Sequence, residues 1–132
     1  MASLRTPLGR ARGYGAAKSG VGGFIAERVT GAALVILVLW AVRSAFTLAG
    51  APYDDARVWL ASPVNLALGV LLAITAFHHM RIGMGVIIED YIERPAAKVA
   101  LLTLNAFVCW GAAALAVVSL LSIAFGRAPG LT

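Results

Sequence analysis

VNLALGVLLAITAFHHMRIGMGVIIEDY, residues Val64 to Tyr91, is almost entirely apolar until His78, and its only full charge before Glu89 is Arg81. The apolar part, Val64 to Ile88, exceeds the roughly 20 residues that a helix needs to cross a hydrocarbon core about 30 Å thick. Read as one helix, it carries two adjacent histidines near mid-membrane and ends in Glu89, Asp90 and Tyr91. Two similar runs flank it. Val29–Leu48 is broken only by Arg43, and Val99–Phe125 has no charge at all. Arg43 stands about 22 Å of helix rise beyond Arg28, near the opposite interface, where a long side chain reaches the headgroups. An all-α fold follows: an integral membrane three-helix bundle over residues 29–126, with approximate spans 29–48, 64–88 and 99–125. A basic arm, 1–28, precedes it and a tail, 127–132, follows.

Composition agrees. The 132 residues are 61% hydrophobic and 13% charged, with a mean hydropathy of +0.88. So few and so clustered charges cannot cover a water-facing surface, so lipid is the expected solvent. The net charge of +5 would suit a nucleic-acid binder. Its distribution does not, because Arg5, Arg10, Arg12, Lys18 and Arg28 all precede the first apolar run. The arm is too long and glycine-rich, and the run after it too long, for a secretory signal peptide, so the first span is read as a permanent helix. Cys109, the single cysteine, lies in the third run; it reads as a small buried residue and says little about redox compartment.

The connections set the topology. AGAPYDDARVWLASP joins the first two spans through helix breakers and the interfacial aromatics Tyr53 and Trp59, and EDYIERPAAK joins the last two through Pro95. Both are short, so neighbouring spans run antiparallel. Five basic residues precede span one and Arg94 and Lys98 follow span two, against Arg57 and Arg127 on the other side. The positive-inside rule then places the N-terminus, and the Tyr91 end of span two, in the cytoplasm. The arm itself, rich in glycine and arginine, is either a topology signal or a segment that orders against a partner or anionic headgroups.

Ionisable groups at membrane depth cost roughly 2.5–3.5 kcal/mol on insertion scales and mark functional positions. At 100° per residue, His79, Ile82, Gly83, Val86 and Asp90 share one stripe, whereas His78 and Arg81 lie on a neighbouring face. The ring nitrogens of His79 need a partner: a metal, a haem iron, or a hydrogen bond to another helix. Gly83, one turn on, leaves room for a flat group against the backbone. Chelation by His78 with His79 is disfavoured, since adjacent side chains diverge on a helix and no second ligand recurs at i+3 or i+4. One histidine gives one axial ligand, so a six-coordinate haem would take its second from another polypeptide. Tyr91, about 18 Å along the helix from His79, reads either as an interfacial anchor or as a hydrogen-bond donor to a quinone carbonyl with Asp90 beside it.

The run HMRIGMGVIIEDY, with His79, Gly83, Asp90 and Tyr91, resembles the haem and quinone helix of the hydrophobic membrane anchor (D-type) subunits of succinate dehydrogenase. GVGGFIAERVTGAA, Gly20 to Ala33, is similar to that family's approach to its first helix, with Arg28 at its arginine, so the resemblance covers nearly the whole chain. It implies a four-subunit complex in the bacterial inner membrane, with a flavoprotein, an iron-sulfur protein and a C-type cytochrome b anchor subunit. It further implies haem b ligated by His79, Arg28 near the haem propionates, and Tyr91 with Asp90 at the ubiquinone. Where some members carry polar residues, this chain has Gly22 and Gly23, and Arg81 is an unexpected mid-helix charge. Within such a complex the chain would be a subunit that does not itself oxidise succinate, because it lacks both a dinucleotide-binding glycine fingerprint and a cysteine set for iron-sulfur clusters. Two other readings stay open: a fumarate reductase anchor, and a non-redox membrane protein whose histidines only pack helices.

Overall fold

The structure is a computed structural model and describes residues 6–9 and 21–126; most of the basic arm and the 127–132 tail lie outside the described residues. Within residues 21–126 four helices follow in order: α1 (Val21–Leu48), α2 (Tyr53–Ala61), α3 (Pro63–Tyr91) and α4 (Pro95–Phe125). Three of them, α1, α3 and α4, are long and apolar enough to cross a membrane. At 28, 29 and 31 residues they rise about 42–47 Å, the thickness of a bilayer with its headgroup layers. Each therefore outruns the corresponding apolar run. The extra turns, such as 21–28 of α1, hold the charged residues that headgroups and water tolerate and hydrocarbon does not.

Local chemistry sets the breaks. Gly50 takes a left-handed φ of 81°, the conformation that glycine adopts just past a helix end. Pro63 and Pro95 open α3 and α4 at the first turn, where a missing N–H removes no helical bond. Helix α2 is the main departure from expectation, since its residues read as a loop. Asp54 and Asp55 in its first turn complement the helix dipole, and Trp59 stacks on Trp40 of α1 with ring centroids 6.0 Å apart. Short-range propensity was silent there; the stacking is a tertiary contact.

Helix α3 is central, with α1 packed on one flank and α4 on the other, while α2 closes against α3 and α4. Pairing along α3 and α4 is antiparallel. A Cβ placed on Gly69 would lie 3.6 Å from Leu120, the His78 ring faces Trp110, the Asn105 amide donates to the Arg81 carbonyl at 2.9 Å, and Gly85 lies under Leu102. Partners thus descend α4 as residue number rises along α3. Glycine at both ends of the seam lets the backbones close without a large driving force from lipid. Among the described residues the buried apolar set is small, with Leu37, Leu66, Ile88, Cys109, Ala113 and Ala124, and most large apolar side chains point outward, as befits a molecule whose solvent is hydrocarbon. Cys109 is buried as expected, and its thiol donates to Asn105 at 3.3 Å.

Side chains from neighbouring elements cap the helix ends. Arg57 of α2 donates through Nε to the Ile123 carbonyl at 3.1 Å and through its other arm to Gly126, satisfying the last carbonyls of α4. Lys98 does the same for the end of α3 by donating to the Glu89 carbonyl at 2.8 Å. Both cations sit at the negative ends of helix dipoles.

Candidate functional site

The two histidines part company in three dimensions. His78 turns toward α4, its ring 5.7 Å from that of Trp110, and its Nδ1 is buried without a hydrogen-bond partner. His79 turns toward α1. There its Nδ1 lies 2.8 Å from the Thr30 hydroxyl, and its ring lines an open apolar groove with Gly31, Leu34, Val35, Val38 and Leu39, about 390 Å³ in volume. The one-residue offset that separates the rings by about 100° is enough to place them on different helix–helix seams.

Thr30 sits where α1 crosses α3. Its hydroxyl also lies 2.7 Å from the Ala26 carbonyl and 3.1 Å from that of Glu27, the back-bonding a threonine makes within its own helix. Beside it Gly31 borders the imidazole: a Cβ there would rest at an ordinary contact distance of 3.5 Å from Cε1 of His79. Neither residue was singled out for a role by sequence reading. Thr-Gly-Ala-Ala, Thr30 to Ala33, is a small-residue run of the type that marks close helix approach, a signal that could have found them.

Arg28 is exposed, with its guanidinium 5.0 Å from the centre of the Phe24 ring. It lies seven residues before Val35 and so on the same stripe of α1 as that groove residue, about 10 Å nearer the N-terminus. Gly83, expected beside His79, borders open space, with nothing within 4 Å of a Cβ built on it; the glycine in the groove is Gly31. Asp90 and Tyr91 close α3 and are both exposed, Tyr91 at 79%. They are brought to the same end of the molecule as Arg28, because α1 and α3 are antiparallel. Arg81 does not join His79. It lines a separate cleft of about 360 Å³ with Gly23, Gly85, Glu89 and Leu102, between the start of α1 and the α3–α4 seam.

Among the described residues no three His, Cys, Asp or Glu side chains converge on a metal-ion position. A single imidazole on an apolar wall is a poor ion site but a good face for a metal held in a flat organic ring. The ring fits here on three counts: the groove is apolar, the imidazole lines it, and an exposed arginine stands on the same stripe toward the membrane surface. What the described residues present is one wall of such a site.

Three membrane-length helices, two of which line a histidine-bearing groove, define an integral membrane protein. The chain belongs to the succinate dehydrogenase/fumarate reductase transmembrane subunit family, whose model matches residues 2–125. The succinate dehydrogenase hydrophobic membrane anchor subunit of Rickettsia bellii is 38% identical over 92 residues, covering 68% of this chain and 72% of that protein. Its counterpart in Rickettsia conorii is 29% identical over 91 residues, with the same coverage of 68% and 72%. No solved structure matches the chain significantly.

Proposed function

We propose that this chain anchors a succinate:quinone oxidoreductase, respiratory complex II, in the bacterial inner membrane, ligates haem b through His79, and helps to bind ubiquinone through Tyr91 and Asp90. It serves the electron transport chain and the tricarboxylic acid cycle as a subunit that does not itself oxidise succinate. The flavoprotein and iron-sulfur subunits dock on the side that holds Tyr91, which the positive-inside count makes cytoplasmic. A second, C-type cytochrome b anchor covers the groove.

The observation that carries the reading is that His79 lines an open apolar groove while its Nδ1 is already engaged by Thr30. Bound there, haem b supplies a one-electron store beside the path to the quinone. The chain's own residues do the rest. The His79 ring would hold the iron, and Gly31, Leu34 and Val35 would exclude water beside it. The Arg28 guanidinium, reaching down the stripe from the interface, neutralises a propionate. His78 faces Trp110 on the other seam and is not placed to hold the same group, so a second protein ligand would come from the partner anchor. At the cytoplasmic end Tyr91 donates its phenolic hydrogen in a hydrogen bond to a quinone carbonyl, and the Asp90 carboxylate, next in the chain, relays protons inward from solvent. Because both are exposed, the remaining walls of the quinone site belong to neighbouring subunits.

The non-redox reading rests on one observation of its own, the Thr30–His79 bond, which is a packing contact between helices. That contact occupies one ring nitrogen of two and leaves the other for a ligand. A reduced-minus-oxidised spectrum of the purified complex separates the readings. The expected result is a b-type signal in the native complex that is lost in His79→Ala, with flavoprotein and iron-sulfur subunits copurifying. A signal unchanged in His79→Ala, or none in the native complex, would leave His79 as a packing residue.

A further inference from the structure

The contacts of the Thr30 hydroxyl fix where its proton goes. The group has one hydrogen and two lone pairs. Two of its three neighbours, the Ala26 carbonyl at 2.7 Å and the Glu27 carbonyl at 3.1 Å, can only accept. If the hydroxyl donated to His79 instead, its oxygen would face both carbonyl oxygens with no hydrogen between them, inside a low-dielectric site where such repulsion is least screened. The hydrogen is therefore shared by the backbone carbonyls, and the contact with His79 at 2.8 Å requires Nδ1 to be the donor.

The geometry points to Thr30 as the positioning residue that holds His79 in its Nδ1–H tautomer, leaving Nε2 with the bare lone pair. This rests on the reading of His79 as a haem ligand and extends it to a residue on a different helix. A ligating histidine needs its second nitrogen bonded, to fix ring rotation and to raise the basicity of the first. Here the acceptor is a hydroxyl rather than a carboxylate or a free carbonyl. It is locked in place by its own bond to the α1 backbone, and β-branching stiffens its χ1. The device also joins cofactor binding to assembly of the helices, since the tautomer is set only when α1 has packed on α3.

Two measurements test it. In the first, the full chain labelled with 15N-histidine is placed in phosphatidylcholine–phosphatidylglycerol bilayers and read by solid-state NMR, with His78→Phe assigning the signals. His79 is expected to show a protonated Nδ1 and a bare Nε2, and Thr30→Val, which removes only the hydroxyl, is expected to give a mixture of tautomers. A predominant Nε2–H form, or a Thr30→Val spectrum identical to the native one, would overturn the proposal without the haem entering the measurement. In the second, the assembled complex carrying Thr30→Val is expected to hold haem roughly ten- to a hundred-fold more weakly. Its low-spin EPR signal should shift and its midpoint potential rise, and Thr30→Ser should restore all three. Unchanged haem properties in Thr30→Val, where His79→Ala abolishes the haem signal, would overturn the role of Thr30 alone. A haem retained in His79→Ala would overturn the ligation reading and the proposal with it.

Discussion

At the scale of single residues, the chain separates polar groups that are adjacent in sequence. His78 and His79 differ by one position, yet one lies tilted against a tryptophan with an orphaned nitrogen and the other is bonded and borders a groove. The sequence identified His79 as the one to watch from its stripe with Gly83 and Asp90, but the glycine beside its ring is Gly31 and the hydroxyl on it is Thr30, both from another helix. No periodicity within α3 could reveal residues of α1. Tyr91 was legible because its position at a helix end is a matter of counting. Replacing Tyr91 with Phe keeps the ring and removes one hydroxyl. Quinone reductase turnover is expected to fall roughly tenfold, the worth of one hydrogen bond in the rate-limiting state, with the haem spectrum and subunit stoichiometry unchanged. Steady-state assays with succinate and a soluble quinone check it.

At the scale of elements, apolar runs found each membrane helix but understated its length, because the reading stops where charge begins and the helix does not. Arg57 illustrates a second gap. Counting it as a loop charge was enough for topology, whereas in the fold it caps α4 from α2. The α3–α4 seam passes over Gly69 and Gly85, where there is room for a small side chain and no more than that. Gly69→Ala is expected to be tolerated, since the added Cβ would meet Leu120 at an ordinary 3.6 Å. Gly69→Leu has no such room and is expected to push the helices apart and destabilise the bundle by about 1–3 kcal/mol. Thermal unfolding followed by circular dichroism in detergent distinguishes the two.

For the whole molecule, the layer is open: α3 is flanked on two sides, and α1 touches little but α3 along its length, so the His79 groove faces outward. That arrangement suits a chain completed by a partner. Val35 lines the groove and is 62% exposed, while Ile36, the next residue, is 71% exposed and lies about 100° round the helix, away from the groove. Both positions accept tryptophan as far as lipid is concerned. Val35→Trp is therefore expected to insert normally and lose haem and the second anchor, whereas Ile36→Trp keeps both; haem-to-protein ratio and copurifying subunits are the readout.

The sequence by itself determined the class of molecule and the three crossings, and it set the expected sidedness and the proposed role of His79. Those depend on hydropathy summed along the chain and on the helical period, which are local quantities. Only the tertiary structure decided which nitrogen of His79 is engaged, that Thr30 engages it, that His78 is turned to Trp110 and Arg81 to a different cleft, and that the connecting segment is a helix. Each of these depends on which face of one helix meets which face of another, and hydrophobic patterning cannot specify that when every face is apolar.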